Sequence, residues 1–323
     1  MNESEIIARF RATFPQRSAS VGIGDDAAIV GEQVITTDLL IEDVDFRRAV
    51  PIGLIARKSL AVNLSDLAAM GAIPAYAVVA LGLPPWAVER IDEFAAALAE
   101  MATQYDIDLV GGDLSRADKL TIAITAMGWT GQRPLLRSGA RPGDRIYVSR
   151  PIGGSAAGLF LLEKNGWSVE PPAKIAYTQR EFFASAVRRH VDPEPEVRLG
   201  IALGGIDEVS SCIDISDGLS SDLHHLCDAS NCGAAIERER LPIFPDLLGS
   251  GTALGINVQQ AVLHGGEEYA LLFTSSLRES ELSSRLRRPV YAIGRMTEER
   301  GVTINGAPLE ARGFDHFTSP DAT

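Results

Sequence analysis

The stretch Asn63-Leu64-Ser65-Asp66-Leu67-Ala68-Ala69-Met70-Gly71-Ala72 sets one carboxylate among almost wholly apolar neighbours. Leu54, Ile55, Leu60, Leu64 and Leu67 recur at helical spacing upstream and through it, so the sequence predicts a helix over 51–70. Asn63 and Asp66 share one face of that helix. Asp66 is therefore expected to be partly buried, and a buried carboxylate is costly without a partner. That partner could be a helix cap, a buried salt bridge or a bound cation.

Four further acidic clusters lie far apart in the chain: Gly24-Asp25-Asp26, Thr36-Thr37-Asp38, Gly111-Gly112-Asp113 and Asp214-Ile215-Ser216-Asp217-Gly218. Each places aspartate beside glycine, serine or threonine at an expected strand end or loop. Each also has a bland reading: a Gly-Asp turn, a strand terminus rich in β-formers, or an N-cap. If they converge, like charges repel, and hard divalent cations with oxygen ligands are the natural remedy. Neighbouring residues in a strand point to opposite faces, so only one of Asp25 and Asp26 is expected to face inward; Asp26 is the choice. Asp214 and Ser216 share a face of an extended segment, and Asp217 adds another oxygen. Glycines at 111 and 112 would expose backbone N–H groups to a phosphate. There is no GxxxxGK[ST] segment and no GxGxxG with its acidic follower.

Outward from these clusters, strands are expected at 34–40, 75–83, 107–110 (short, buried and ending in Gly111-Gly112-Asp113) and 120–130. One helix is expected from Pro85 to about Tyr105. A boundary is placed in 131–144, giving domains 1–135 and 136–323. The second half reads as strand 145–149, a helix to about Leu162, an irregular stretch 165–174, helix 179–189, a short strand ending at Asp214, helix 218–229, and strands 268–274 and 290–294. Met1 to Phe14 reads as an amphipathic helix. Strand and helix alternate with much antiparallel character, so the class is α/β with α+β character.

The chain has 323 residues and a formal net charge of −13, which argues against nucleic acid or an anionic membrane as partner. No apolar run approaches the roughly 18 residues of a bilayer span. The three cysteines, Cys212, Cys227 and Cys232, form no CxxC pair, so a reducing cytoplasmic setting is expected. The histidines form no metal-spaced set, and His224-His225 read as ordinary helix residues.

Taken in order, GIGDDAA, TTD, NLSDLAAMGA, GGD, RSGARPGD, DISDGLSSDL, GGEEYALLF and GFDHF closely resemble the bacterial thiamine-monophosphate kinase family, from about residue 20 to 318. The wider AIR-synthetase-like (PurM-like) superfamily shares them more loosely. The resemblance implies a two-domain AIR-synthetase-like fold whose N-terminal domains pair through their sheets in a homodimer. It implies transfer of the γ-phosphoryl of ATP to thiamine monophosphate, with several Mg²⁺ ions. It further implies Asp26, Thr36, Thr37, Asp38, Asp66, Asp113, Asp214 and Asp217 as Mg²⁺ ligands. Gly112, Asp113, Arg137 and Ser216 would contact the nucleotide, and Glu267 and Phe314 the thiamine moiety. No acid–base residue is implied, because the acceptor is a phosphate oxygen that is already anionic.

The chain departs from the pattern at Asp45, which takes the place of a substrate-contacting histidine of the family and as a substrate contact would meet the thiazolium cation, and at Leu114 after Gly-Gly-Asp. AIR synthetase itself is the nearest rival reading. A catalytically silent nucleotide- or metal-binding regulator is the rival from another class.

Overall fold

The computed structural model describes residues 3–14 and 19–317. Met1 and Asn2, included in the N-terminal helix reading, and Thr318, at the end of the resemblance, lie outside the described residues. Helix α1 (Glu3–Thr13) precedes a five-stranded sheet of β1 (Ala28–Val30), β2 (Gln33–Ile41), β3 (Ile73–Leu83), β4 (Asp108–Arg116) and β5 (Thr121–Trp129). Its order is β1-β2-β5-β3-β4, antiparallel throughout except for the β3–β4 pair. Helices α2 (Ile52–Ala69), α3 (Pro85–Val88) and α4 (Ile91–Gln104) belong to this half. The helix expected over 85–105 is thus two helices, interrupted at Glu89-Arg90.

The second half contains β6 (Arg145–Val148), α5 (Gly154–Lys164), α6 (Tyr177–Val191), α7 (Val197–Gly204), β7 (Val209–Asp214), α8 (Leu219–Ser230), β8 (Gly233–Ile236), α9 (Val258–His264), β9 (Leu271–Ser275), α10 (Glu279–Leu286), β10 (Tyr291–Thr297), β11 (Gly301–Ile304) and β12 (Ala307–Pro308). Its seven strands run in the order β12-β11-β8-β10-β6-β9-β7. Among these, α7, β8, α9, α10, β11 and β12 were not foreseen from sequence. All are short, and most lack a clean period.

One strand differs in kind from its expectation. Residues 107–110 were read as a buried strand stopping at Gly111-Gly112-Asp113. Instead β4 runs straight through the glycines, and all nine of its residues are exposed. It pairs with β3 alone and forms the free edge of the sheet. Apolar Leu109 and Val110 signalled strand correctly, but composition cannot tell an edge from a centre.

Helix α2 lies in the seam between the halves, packed on α4, α7, β2, β5 and β7. Its crossing with α7 is close because both surfaces are small. A Cβ at Gly200 would come within 2.0 Å of the Ala68 carbonyl oxygen. Replacing a mid-helix glycine by alanine ordinarily gains about 1 kcal/mol. Here the clash is with backbone, and overpacking of this kind costs about 1–3 kcal/mol. Gly200→Ala is therefore expected to destabilise the protein in denaturant titration. A gain in stability would show that the helices do not cross this tightly.

Candidate active site

The carboxylates of Asp26, Asp66 and Asp214 converge, with one oxygen from each lying within 4.8 Å of the others. Asp26 follows the Gly24 turn, Asp66 projects from the last turns of α2, and Asp214 ends β7. Thr36 Oγ1 donates to Asp66 Oδ2 at 2.5 Å, and Ser65 Oγ donates to Asp214 Oδ2 at 2.5 Å. Arg137 supplies the cation: Nε and Nη2 donate to Asp26 Oδ1 at 3.0 and 2.6 Å. Its backbone N–H donates to Asp25 Oδ1 at 3.2 Å. The adjacent pair thus divides as strand geometry suggests, Asp26 into the cluster and Asp25 onto the loop that carries Arg137.

Charge on this cluster is poorly balanced. Burial, then the neighbouring carboxylates Asp38, Asp214 and Asp26, push Asp66 well above the ordinary range. Burial and Asp26 raise Asp214 to about 7; burial and Asp45 raise Asp38 to about 6. Asp26 is raised by burial, against Arg137. Asp26 Oδ2 and Asp38 Oδ2 are buried without a hydrogen-bond partner among the described residues. Crowded oxygen donors, two of them unpaired, suit hard divalent cations.

Other expected residues fall elsewhere. Side chains alternate along β2, so Thr36 and Asp38 face α2 while Thr37 faces away. Thr37 Oγ1 donates to the Ile124 carbonyl at 3.1 Å and is exposed. Asp38 aligns through Ile124 and Val79 with Gly112, and Leu39 through Ala123 and Ala80 with Asp113. Asp113 is therefore on the opposite face from Asp38 and three strands away, about 14 Å at the usual strand spacing. Within one chain, Thr37, Gly112 and Asp113 do not join the cluster through their side chains. Alternation and strand order decide this, and neither is readable from a five-residue motif.

Asp217 and Ser216 follow Asp214 on the loop into α8. Burial, then Glu3, raises Asp217 to about 6. It also approaches Asp222 and His225, forming a second group with ligand atoms within 4.8 Å. From sequence His225 reads as an ordinary helix residue; its spacing of three residues from Asp222 along α8 is the local signal of this group. Phe314 N donates to the Asp217 carbonyl at 3.1 Å, and the ring is 57% exposed, edge-on to His316.

Glu267 occupies a corner of its own. Lys58 Nζ lies 2.5 Å from its Oε1, and His190 Nδ1 3.2 Å from its Oε2. Burial would raise Glu267, but Lys58 and then His190 hold it below the ordinary glutamate value. Neither Lys58 nor His190 was singled out from sequence; a lysine inside an apolar helix was the available clue. Asp45 is adjacent, and its Oδ2 accepts from the Ile41 N–H at 2.7 Å. In this chain Asp45 closes its own loop.

These raised carboxylates set the sign of a pH effect. A group whose pKa is higher folded than unfolded stabilises fully below the unfolded value and loses that contribution as pH rises through the folded one. For Asp214 the window runs from 3.8 to about 7. In chelator, the melting temperature is expected to fall from about pH 4 to about pH 7, with millimolar Mg²⁺ restoring it at the upper end. Differential scanning calorimetry checks this; a flat profile unaffected by Mg²⁺ would contradict it.

Residues 24–130 match the AIR synthase related protein family, N-terminal domain, and residues 141–306 its C-terminal domain. Thiamine-monophosphate kinase of Escherichia coli (strain K12) is 38% identical, with 98% of this chain and 99% of that protein covered. The Bacillus subtilis (strain 168) thiamine-monophosphate kinase is 35% identical over 94% of this chain and 96% of its own length. Among solved structures, one described as AaThiL complexed with AMPPCP and TMP superposes with a TM-score of 0.86 at 30% identity, covering 98% of this chain and 97% of that one. Two matching domains and near-full-length identity above 30% make the chain a member of the thiamine-monophosphate kinase family.

Proposed function

We propose that the chain transfers the γ-phosphoryl group of ATP to the phosphate of thiamine monophosphate, giving thiamine diphosphate and ADP. The observation that carries the reading is the convergence of Asp26, Asp66 and Asp214 from three distant segments, within a family whose members are thiamine-monophosphate kinases. The acceptor phosphate is anionic near neutral pH, so no base is needed to make the nucleophile. The remaining problem is to bring two polyanions into line.

Mg²⁺ ions, held by Asp26, Asp38, Asp66 and Asp214, would neutralise phosphate charge at the point of transfer. Thr36 and Ser65 fix the orientation of two of these carboxylates. Arg137, braced by Asp25 and Asp26, steadies the nucleotide phosphates, with Ser216 alongside. Asp217 lies one loop turn beyond Asp214 and serves a further ion. Glu267 and Phe314 receive the thiamine rings, with the exposed Phe314 face available to the thiazolium cation.

The chain works as a homodimer in the cytoplasm. Among the described residues, no helix is long and apolar enough to cross a membrane. Edge strand β4 leaves Leu109, Val110 and Leu114 more than half exposed, and Leu39 is 54% exposed on the open sheet face. A long apolar edge of this kind calls for a covering partner. Pairing of two such sheets would place Gly112 and Asp113 at the boundary between protomers, where they could serve nucleotide and metal.

Asp66→Asn is expected to lower turnover by orders of magnitude while the circular dichroism spectrum stays unchanged. ADP release dependent on thiamine monophosphate, with the product mass confirmed, is the measurement. Near-normal turnover would defeat the scheme. Val110→Lys is expected to shift the protein from dimer to monomer in analytical ultracentrifugation; an unaltered dimer would place the interface elsewhere.

A further inference from the structure

We infer that Lys58 and His190 are positioning residues that clamp the Glu267 carboxylate at a fixed place relative to the aspartate cluster, and so set the affinity for the acceptor substrate. The inference rests on the reading of Glu267 as a contact to thiamine monophosphate.

Both oxygens of Glu267 are engaged, each by a different helix. Lys58 comes from α2 at 2.5 Å and His190 from α6 at 3.2 Å. Lys58 and His190 are themselves 3% and 4% exposed. His190 Nδ1 faces two oxygens, Ser155 Oγ at 3.1 Å and Glu267 Oε2 at 3.2 Å, so the ring is seated by α5 as well as against the carboxylate. Burial and then Lys58 lower its pKa to about 4, which leaves the ring neutral at physiological pH.

The backbone is fixed as firmly. Glu267 and Tyr269 stand at φ 57° and 48°, left-handed values that non-glycine residues adopt only when their surroundings impose them. The Glu267 N–H donates to the Ser216 carbonyl at 2.6 Å. Arg150 Nη2 donates to the carbonyls of Glu268 and Tyr269, both at 2.8 Å. Glu268 Oε1 accepts the Gly153 and Ser155 N–H groups at the start of α5, both at 2.8 Å. A buried ion pair adds little net stability over an apolar pair of equal volume. What this one supplies is placement.

Steady-state kinetics of full-length Lys58→Met, Lys58→Arg, Glu267→Gln and the Lys58→Met/Glu267→Gln pair test the inference. KM for thiamine monophosphate and KM for ATP are measured separately, beside melting temperatures. Lys58→Met and Glu267→Gln are each expected to raise KM for thiamine monophosphate about tenfold, a 1.4 kcal/mol effect, with KM for ATP unmoved. Lys58→Arg should recover most of the loss. The double variant should be no worse than Glu267→Gln alone, because both act through one carboxylate.

Additive losses, or a lowered melting temperature with both KM values unchanged, would overturn the clamp. If Glu267→Gln leaves KM for thiamine monophosphate unaltered, the reading of Glu267 as a substrate contact falls, and this inference with it. If Glu267→Gln raises that KM and Lys58→Met does not, only the clamp is lost. Should Lys58→Met fail to fold, His190→Leu decides: a rise confined to KM for thiamine monophosphate supports the clamp, and no change refutes it.

Discussion

A helix buried on nearly every side has no solvent for its polar groups; besides Arg57, which pairs with Asp192 at 2.6 Å, α2 carries five of them. Lys58, Ser59, Asn63 and Ser65 are buried and Asp66 is half-buried. Each must be matched by something else in the fold, and those matches lay out the site. Ser59 Oγ donates to the Ala56 carbonyl and Asn63 Nδ2 to the Ser59 carbonyl, local bonds that leave Asn63 Oδ1 without a hydrogen-bond partner among the described residues. The other three reach out. Lys58 and Ser65 are seven residues apart, about 20° apart around the axis at the helical period, and both address the second half of the chain, at Glu267 and Asp214. Asp66 is turned about 100° from Ser65 and meets Thr36 of the first sheet. One rigid element therefore indexes both halves. The eight residues from Lys58 to Asp66 separate the Glu267 corner from the aspartate cluster by about 12 Å along the axis.

The second half holds its two contributions in register by a similar device. Beyond β7 and β9, ladder-like bonds continue through Ile215 N to the Ala270 carbonyl, Tyr269 N to the Ile215 carbonyl and Glu267 N to the Ser216 carbonyl. Asp214 and Glu267 are thus fixed on adjoining extended segments that approach the same helix. The left-handed turns at Glu267 and Tyr269 are the local cost of aiming a side chain out of that ladder. Arg150 holds the turn by donating to its backbone carbonyls, and the Glu268 side chain ties it to the start of α5 by accepting the Gly153 N–H.

The α2 segment could be read from sequence because its apolar period is long and its polar exceptions stand out. Asp26, Asp66 and Asp214 each have a bland reading alone, a turn, a cap or a salt bridge; what singled them out was their recurrence, in order, among the other acidic motifs. Strand residues are another matter. Gly112-Asp113 and Thr37 sit in strands, and whether a strand residue meets a distant group depends on its face and on strand order. Both are set by non-local pairing. Lys58 was visible but was passed over as part of a helix pattern. His190 could not have been linked to Glu267 by any local rule, since 77 residues and several elements intervene. Edge strand β4 was misjudged because exposure there depends on what the sheet pairs with.

The two ends of the site differ in electrostatic character, and this constrains how a substrate can lie in it. At the Glu267 corner, Lys58 balances Glu267, His190 is neutral, and burial pushes the Asp45 carboxyl above its ordinary value. That corner is close to neutral. At the other end, Asp26, Asp38, Asp66 and Asp214 face the single guanidinium of Arg137. A molecule with a cationic ring and an anionic phosphate, placed in such a field, would turn its ring toward the aspartates and its phosphate away. Productive alignment requires the reverse. Cations bound at the aspartates invert the sign of that end. On the proposed reading, a cluster loaded with cations would do more than neutralise ATP: it would also decide which way round the acceptor enters, and the ring end could stay nearly neutral because orientation would be enforced from the far end.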